Sequence, residues 1–570
     1  LQISNLHPTI RATKAVHWFR AHIRDKCPLK NVLIIYQHTK VNLAFESPFK
    51  KVSKIGHESK IGPNLLPIHS HIKLSNTNTS VRNKLIFIKN RTRPEDEYAK
   101  LIGVGTNDVV FTSHNYSPLD YYMSYCKRIC PRLKDAPESF FPKMKVYVDA
   151  WLRENLVPLP YIPDTKDLHL KWIRDEARYT VARQKQLEKA LDSIYETPIY
   201  ERDYVCKGFA KKEFFEEEKL TRYICSRSDR FKVAVAPYIK AIEHEFFSLP
   251  YFVKGESLLN LGTKFERLLG FPYYIQTDYS SFESSFKPEY MDVVECELFR
   301  YMLQNNKEIL DLVMGVYYQR LKNGEYQYRI NEVRNKNFRF YVQGSRMSGE
   351  MWTSLANSFS NLLNMFFICD QKGMRRMDID GLIEGDDGLF GLTSNDLTAE
   401  DFENIGFKVK MKIVKSIEET SFCSCYYNLS TKHILLNPET LVRLFWTFEK
   451  KYFNNFRPLL NWKAKSAFVM GKFTPILSPV CLRQIQDNPD TGDDVYEGNG
   501  WWEKKWCSII KNYLFVPEEI MDEDRVFYSR IFGITLNEQF SMESIATTSE
   551  KPFYPVRFLP DVDNTIALRF

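Results

Sequence analysis

Residues 381–390 read GLIEGDDGLF, with Asp386 and Asp387 adjacent between Gly385 and Gly388 and apolar residues on either side. Two like charges at the tip of an apolar segment have a bland reading. Gly-Asp-Asp-Gly between short apolar runs is a good hairpin signal, and Asp and Gly both tolerate positive φ. The sharper reading is a metal site at the hairpin tip, and it needs further oxygen ligands from elsewhere. The stretch YYIQTDYSSFESSF, residues 273–286, offers one. Tyr273 to Thr277 is β-prone, and Asp278 falls where that strand would end. Taken alone, Asp278 is better read as a strand-end turn or a helix cap. If the two strands are neighbours, however, Asp278 and Asp386 converge at one edge of a sheet. Magnesium suits such a pair, because it takes one or two carboxylates plus waters and substrate phosphates. Two such ions about 4 Å apart hold both the attacking and the leaving oxygen of an in-line phosphoryl displacement.

A third stretch, QGSRMSGEMWTSLANSFSNLLNMFFICD at 343–370, must position a polar face nearby. Met351, Leu355, Phe359, Leu362 and Phe366 recur at helical spacing, with Ser348-Gly349 at the helix entrance. Thr353 and Asn357 are one turn apart on a shared face. Such a face could read a ribose through hydroxyl and amide hydrogen bonds. As an isolated pair, Thr and Asn more simply face solvent.

The whole chain bounds these readings. At 570 residues it exceeds what one core usually supports, so several subdomains are expected. Hydrophobic residues at 44% and aromatics at 14% fit a folded chain rather than disorder. Lys plus Arg is 79 against 71 acidic residues, and the net charge of +8 fits a polyanionic partner without demanding one. Eleven scattered cysteines lack zinc-ligand spacing and read as free thiols in a reducing compartment, so matches such as Asn115-Tyr116-Ser117 are not glycosylation sites. No apolar run reaches membrane-spanning length, and no signal-peptide pattern stands at the start. The chain begins with Leu1 rather than Met, which reads as a processed product or a fragment.

Further elements follow from local signals. Leu33–Tyr36 and Leu85–Ile88 are short β-prone runs, and SNTNTS at 75–80 is a loop. Asn323-Gly324, inside VYYQRLKNGEYQYRI, predicts a type I′ hairpin. Positions 204–240 interleave Lys and Arg with aromatic and apolar residues. The last 130 or so residues, rich in Trp, Phe and Lys, read as helical without a catalytic pattern.

Together the three chemical stretches resemble the RNA-dependent RNA polymerases of positive-strand RNA viruses. The ordered pattern is Asp-x4-acid, Ser-Gly-x3-Thr-x3-Asn and Gly-Asp-Asp, which that family calls motifs A, B and C. Here they are Asp278…Glu283, Ser348-Gly349…Thr353…Asn357 and Gly385-Asp386-Asp387. Each is weak alone, and the ordered set is specific. FAKKEFFEEEKLTRYICSRSDR at 209–230 resembles the basic motif F, with Lys211, Lys219, Arg222 and Arg227 at its matching positions. IGFKVKMKIVKSIEETSFCS at 405–424 resembles motif D running into motif E, with Phe422-Cys423 in a hairpin near the primer end. Its Gly-Phe…Phe-Cys pattern is similar to the tombusvirus-like and nodavirus-like branches. One departure is Glu283, where the family usually has a second Asp that contacts the ribose.

The resemblance implies an α+β right-hand polymerase whose antiparallel palm sheet packs on helices. It implies an N-terminal extension at 1–199 bridging fingers and thumb, and fingers at 200–265 and 300–340. It implies palm at 266–299 and 341–430, and thumb at 431–570. It implies two Mg2+ ions, replaceable by Mn2+, on Asp278, Asp386 and Asp387, and a leaving-group acid among Lys410, Lys412 and Lys415, with Lys410 taken first. Lys211, Lys219, Arg222 and Arg227 would bind triphosphate, for which Arg offers bidentate contacts. Glu283, Ser348, Gly349, Thr353 and Asn357 would bind the ribose. The implied partners are template and product RNA, NTPs, other viral replication proteins and host membranes, in a membrane-associated complex of the host cytoplasm. A reverse transcriptase, an inactive RNA-binding protein with the same fold, and a chance coincidence of turns are the rival readings.

Overall fold

The computed structural model describes residues 99–103, 123–131, 133–177, 179–215, 220–254, 261–336, 338–489, 510 and 513–548, together with short strands at 34–36, 84–87 and 110–111. Sequence expectations at 75–80, at Asn115 and at Lys219 lie outside the described residues.

A four-stranded antiparallel sheet carries the chemical stretches. Its order is Ile379–Glu384, Asp387–Leu392, Tyr273–Tyr279 and Val409–Val414. One face is apolar. Ile275 and Tyr279 on the Tyr273–Tyr279 strand join Ile383, Phe390 and Val409 in a large buried core. Gln276 and Asp278 fall on the opposite face, because successive strand residues alternate sides. The helix Thr353–Gln371 supplies Leu355, Phe359, Leu362, Leu363 and Phe366 to the same core. This helix is not amphipathic. Every residue from Leu355 to Cys369 is buried, so the reading of Thr353 and Asn357 as a solvent face does not hold for Asn357, which is 4% exposed.

A second, six-stranded sheet runs in the order 34–36, 84–87, 338–343, 330–334, 206–210 and 223–226. Its last two strands, Cys206–Ala210 and Tyr223–Ser226, flank the basic stretch and pair antiparallel. The C-terminal part is mainly helical, with Arg457–Met470, Leu477–Asp487, Asp522–Phe532 and Leu536–Thr548 around Trp462, Phe468, Cys481 and Tyr528.

The Asn323-Gly324 hairpin forms but its turn differs from expectation. Tyr318–Arg320 pairs with Tyr326–Tyr328, and only Gly324 has positive φ, at 87°. The Leu321 N–H donates to the Glu325 carbonyl and the Gly324 N–H to the Leu321 carbonyl. This is a three-residue loop with a type I turn closed by a left-handed glycine, because Asn323 stays in the ordinary φ range that a type I′ turn forbids. Among the described residues all nine cysteines are free, and no helix is long and apolar enough to cross a membrane.

Candidate active site

The Gly385-Asp386 pair forms the two-residue tip of the hairpin, closed by the Glu384–Asp387 pair. Gly385 has φ of 65° while Asp386 does not, the φ pattern of a type II′ turn with glycine first. Register then sets the neighbours. Gly388 faces Thr277 on the adjacent strand, so one step further toward the tip brings Asp387 across from Asp278. On the other side of the Tyr273–Tyr279 strand, Lys410 is the direct partner of Asp278. Directly opposed residues share a sheet face, so Lys410 shares a face with Asp278. Lys412 faces Gln276 two pairs further along, and its ammonium binds the Glu419 carbonyl. Lys415 lies beyond the strand's end.

The carboxylates repel. Asp386 reaches solvent, yet protein surrounds it closely, and its pKa is raised to about 7 by burial first, then by Glu283 and Asp387. Asp387 is also raised, by burial and by Asp278 and Glu384. The opposing influences are few. Cys423 places its Sγ 3.5 Å from Asp387 Oδ2, and Arg222 lowers the Asp386 pKa from nearby. Cys423 and Ser424 both have positive φ, at 51° and 63°, and form the tip of a tight turn closed by reciprocal Phe422–Cys425 backbone bonds. Burial and Asp387 push the Cys423 thiol up, which keeps it protonated as a donor.

The hairpin rests on the buried helix. The Gly385 N–H donates to Ser358 Oγ at 2.9 Å. The Asn361 amide lies 3.2, 3.1 and 3.2 Å from the carbonyls of Gly385, Asp386 and Asp387. Sequence reading missed both residues. The signal was available, since Asn361 follows Asn357 by one helical turn in an otherwise apolar run, and a polar residue in a buried stripe needs a partner.

The loop before the helix ties the remaining pieces together. The Arg346 N–H donates to the Glu283 carbonyl at 2.8 Å, and the Ser345 hydroxyl is 3.3 Å from the same oxygen. The Gly349 N–H donates to the Cys225 carbonyl at 3.0 Å, and the Ser348 hydroxyl donates to the Tyr223 carbonyl at 2.8 Å. The Thr353 hydroxyl is turned onto the Met347 and Glu350 carbonyls of its own helix entrance. Asn357 keeps a buried Oδ1 without a hydrogen-bond partner.

The basic residues divide. Arg222 reaches the site but holds Glu213 with Nε at 2.7 Å and a second, shorter contact. Lys211 binds the same Glu213 at 2.9 Å. Arg227 is not brought to the carboxylates. It is 5% exposed, and its guanidinium is taken up by Glu350, Asn331 and the Tyr204 carbonyl. A guanidinium so enclosed braces the helix entrance.

Among the described residues no three His, Cys, Asp or Glu side chains form a ready-made metal cage. The donor set still fits a hard cation that completes its shell with water and phosphate. It is all carboxylate, and its like charges raise the pKa of Asp386 when nothing cationic lies between them.

Comparison with known proteins finds a family match across these elements. Residues 260–452 match the family described as viral RNA-dependent RNA polymerase. The RNA-directed RNA polymerase of Tomato bushy stunt virus (strain Cherry) is 23% identical over 402 residues, 64% of this chain and 46% of its own length. That of Tobacco necrosis virus (strain D) is 23% identical over 409 residues, covering 64% of this chain and 53% of its own. That of Maize chlorotic mottle virus is 27% identical over 200 residues, 32% of this chain and 19% of its own. The chain thus spans about half or less of the length of these relatives.

Proposed function

We propose, from the match of residues 260–452 to the viral RNA-dependent RNA polymerases, that this chain copies a viral RNA genome, joining NTPs to an RNA 3′-OH with release of pyrophosphate. The observation that carries the reading is the strand register that brings Asp278, Asp387 and Lys410 into line beside the Asp386 turn.

Asp278, Asp386 and Asp387 would hold two Mg2+ ions, which when bound lower the pKa of the 3′-OH and steady the departing phosphates. Asn361 and Ser358 fix the backbone that aims two of those carboxylates. Lys410 is the lysine best placed to give a proton to the leaving pyrophosphate, since Lys412 is engaged with Glu419. Glu283 and the buried Asn357 amide stand as the sugar-reading pair. Ser348 and Thr353 assist by holding the loop and helix entrance that carry them. Base choice comes from the template, and RNA is held chiefly through its backbone.

In this reading the four-stranded sheet is the palm, within 266–299 and 341–430. The six-stranded sheet belongs to the fingers, and since Phe338–Gln343 is one strand, the fingers run a few residues past 340. The helices after about 430 form the thumb. Two small pairings support a bridging role for residues 1–199. Lys100–Leu101 pairs with Trp446–Thr447, and Val110–Phe111 pairs with Phe214–Phe215. Other viral replication proteins, host membranes and a cytoplasmic replication complex are the setting this reading implies.

The test is radiolabelled NTP incorporation on a single-stranded RNA template with Mg2+, beside Asp386→Ala. Template-dependent product from the unsubstituted chain alone supports the assignment. Equal product from the variant removes Asp386 from the chemistry.

A further inference from the structure

The structure brings to the candidate site an arginine from far outside the matched region. Residues Tyr125–Ile129 form one wide π-helical turn, closed by the Cys130 N–H donating to the Tyr125 carbonyl at 2.8 Å. The turn is anchored. Tyr125 is 2% exposed, packs its ring 5.5 Å from Phe340, and sets its hydroxyl 3.3 Å from the Tyr341 carbonyl. Its far side meets the segment that follows Asp278, where the Ser281 hydroxyl lies 3.5 Å from the Lys127 carbonyl oxygen. Arg128 therefore stands beside the Glu283 turn, half-buried.

The surroundings of its guanidinium are unusual. It lies within the field of a second guanidinium, Arg222, and of Glu283, Glu213 and Asp386. Burial and Arg222 both lower its pKa. Arg222 is committed to Glu213 by two contacts, whereas no hydrogen bond or ion pair among the described residues holds Arg128. Two guanidiniums near one another beside these carboxylates, one of them without a hydrogen bond to the described residues, have the chemistry to receive a multiply charged anion.

We propose that Arg128, together with Arg222, binds the phosphate chain of the incoming nucleoside triphosphate. This rests on the polymerase reading, which places that chain beside Asp386. Phosphates there would come within reach of Arg128, and the N-terminal segment would complete the nucleotide site. The family match at 260–452 contains neither arginine.

The experiment uses the full chain with saturating RNA and varied NTP, comparing Arg128→Gln and Arg128→Lys. The Gln variant is expected to raise the NTP KM by about tenfold or more, the size of a lost charge-assisted hydrogen bond, with a smaller change in kcat. Inhibition by inorganic pyrophosphate should weaken by a similar factor, and Lys should restore most of both. RNA affinity and its salt dependence should stay as they were. NTP-dependent stabilisation of a complex whose RNA ends in a 3′-deoxynucleotide gives the same comparison without turnover. Unchanged KM and pyrophosphate inhibition in Arg128→Gln would overturn the proposal while leaving the polymerase reading intact. A loss of RNA affinity with unchanged NTP KM would also overturn it, by making Arg128 a contact of the RNA backbone. No template-dependent product from the unsubstituted chain would overturn the polymerase reading itself, and this proposal with it.

Discussion

The Asn361 side chain donates its amide to the Asp386 carbonyl at 3.1 Å, and the same nitrogen lies 3.2 Å from the Gly385 and Asp387 carbonyls. One buried amide thus meets three successive carbonyls of the turn that aims the candidate metal ligands. Replacing it by Leu keeps the volume and strands those oxygens. Asn361→Leu is expected to lower incorporation on the order of 100-fold through misplaced carboxylates. The stability cost should be about 1–3 kcal/mol. A magnesium titration beside thermal unfolding separates the two effects. Full activity at ordinary magnesium would show that the turn needs no such support.

Asp386 makes a prediction about pH. Its folded pKa, about 7, lies above the ordinary value of 3.8. The metal-free fold therefore holds this proton more tightly than the unfolded chain does. Its contribution to stability is present at low pH and declines as pH rises between these two values. Asp386→Asn should flatten that decline and raise the melting temperature of metal-free protein above pH 7. Because protons compete with the cation, activity should fall as pH drops below about 7, and added Mg2+ should move that midpoint lower. A midpoint indifferent to Mg2+ would detach the titration from metal binding.

Lys410 is set apart from its neighbours by register alone, as the cross-strand partner of Asp278. Lys410→Leu is expected to slow single-turnover incorporation by roughly a hundredfold or more, the range of a lost general acid. Lys410→Arg should recover little, since a guanidinium does not release its proton. Lys412→Leu and Lys415→Leu should remain within a few-fold of the unsubstituted chain. A larger defect at Lys412 would transfer the role to it.

Much of this site was legible in the sequence, for physical reasons that also mark where legibility stops. Gly385-Asp386-Asp387 and Asp278 are local signals, a turn and a strand end, and antiparallel pairing brings them together. The helix at Thr353–Gln371 announced itself through apolar spacing, but spacing does not reveal that its second face is also buried, so Asn361 and Ser358 went unread. Arg227 looked like its basic neighbours, and only the fold shows Glu350 enclosing it. Arg128 had no motif around it at all. Its position depends on Tyr125 packing on Phe340, a contact between segments far apart in sequence.

Gly349 tests the seam between the helix entrance and the strand Tyr223–Ser226. A methyl group there would lie 2.9 Å from the Cys225 carbonyl oxygen and 3.0 Å from Ile224 Cγ2. Backbone cannot yield as a flexible side chain does. Gly349→Ala should cost about 1–3 kcal/mol of stability and depress activity by loosening the loop that holds Glu283. Crystallography of the variant with the 349–225 hydrogen bond intact, and unchanged melting, would mean the seam tolerates the extra carbon.

Glu283 is the position where this chain departs from the second motif A aspartate. Its carbonyl is fixed by the Arg346 N–H at 2.8 Å and approached by the Ser345 hydroxyl at 3.3 Å. The main chain is therefore held independently of the side chain, and Glu283→Asp draws the carboxylate back by one methylene without releasing the turn. If Glu283 reads the sugar, that retreat weakens a contact made to a ribose and absent from a deoxyribose. The ratio of kcat/KM for CTP over dCTP should fall several-fold, up to about tenfold, a part of the worth of one hydrogen bond to a charged group, since the contact is weakened and not removed. The magnesium requirement should hardly move, since Asp278 and the Gly385-Asp386 turn are untouched. An unchanged ratio would remove Glu283 from sugar selection. A changed magnesium requirement with an unchanged ratio would instead make it a partner of Asp386, whose pKa it already raises.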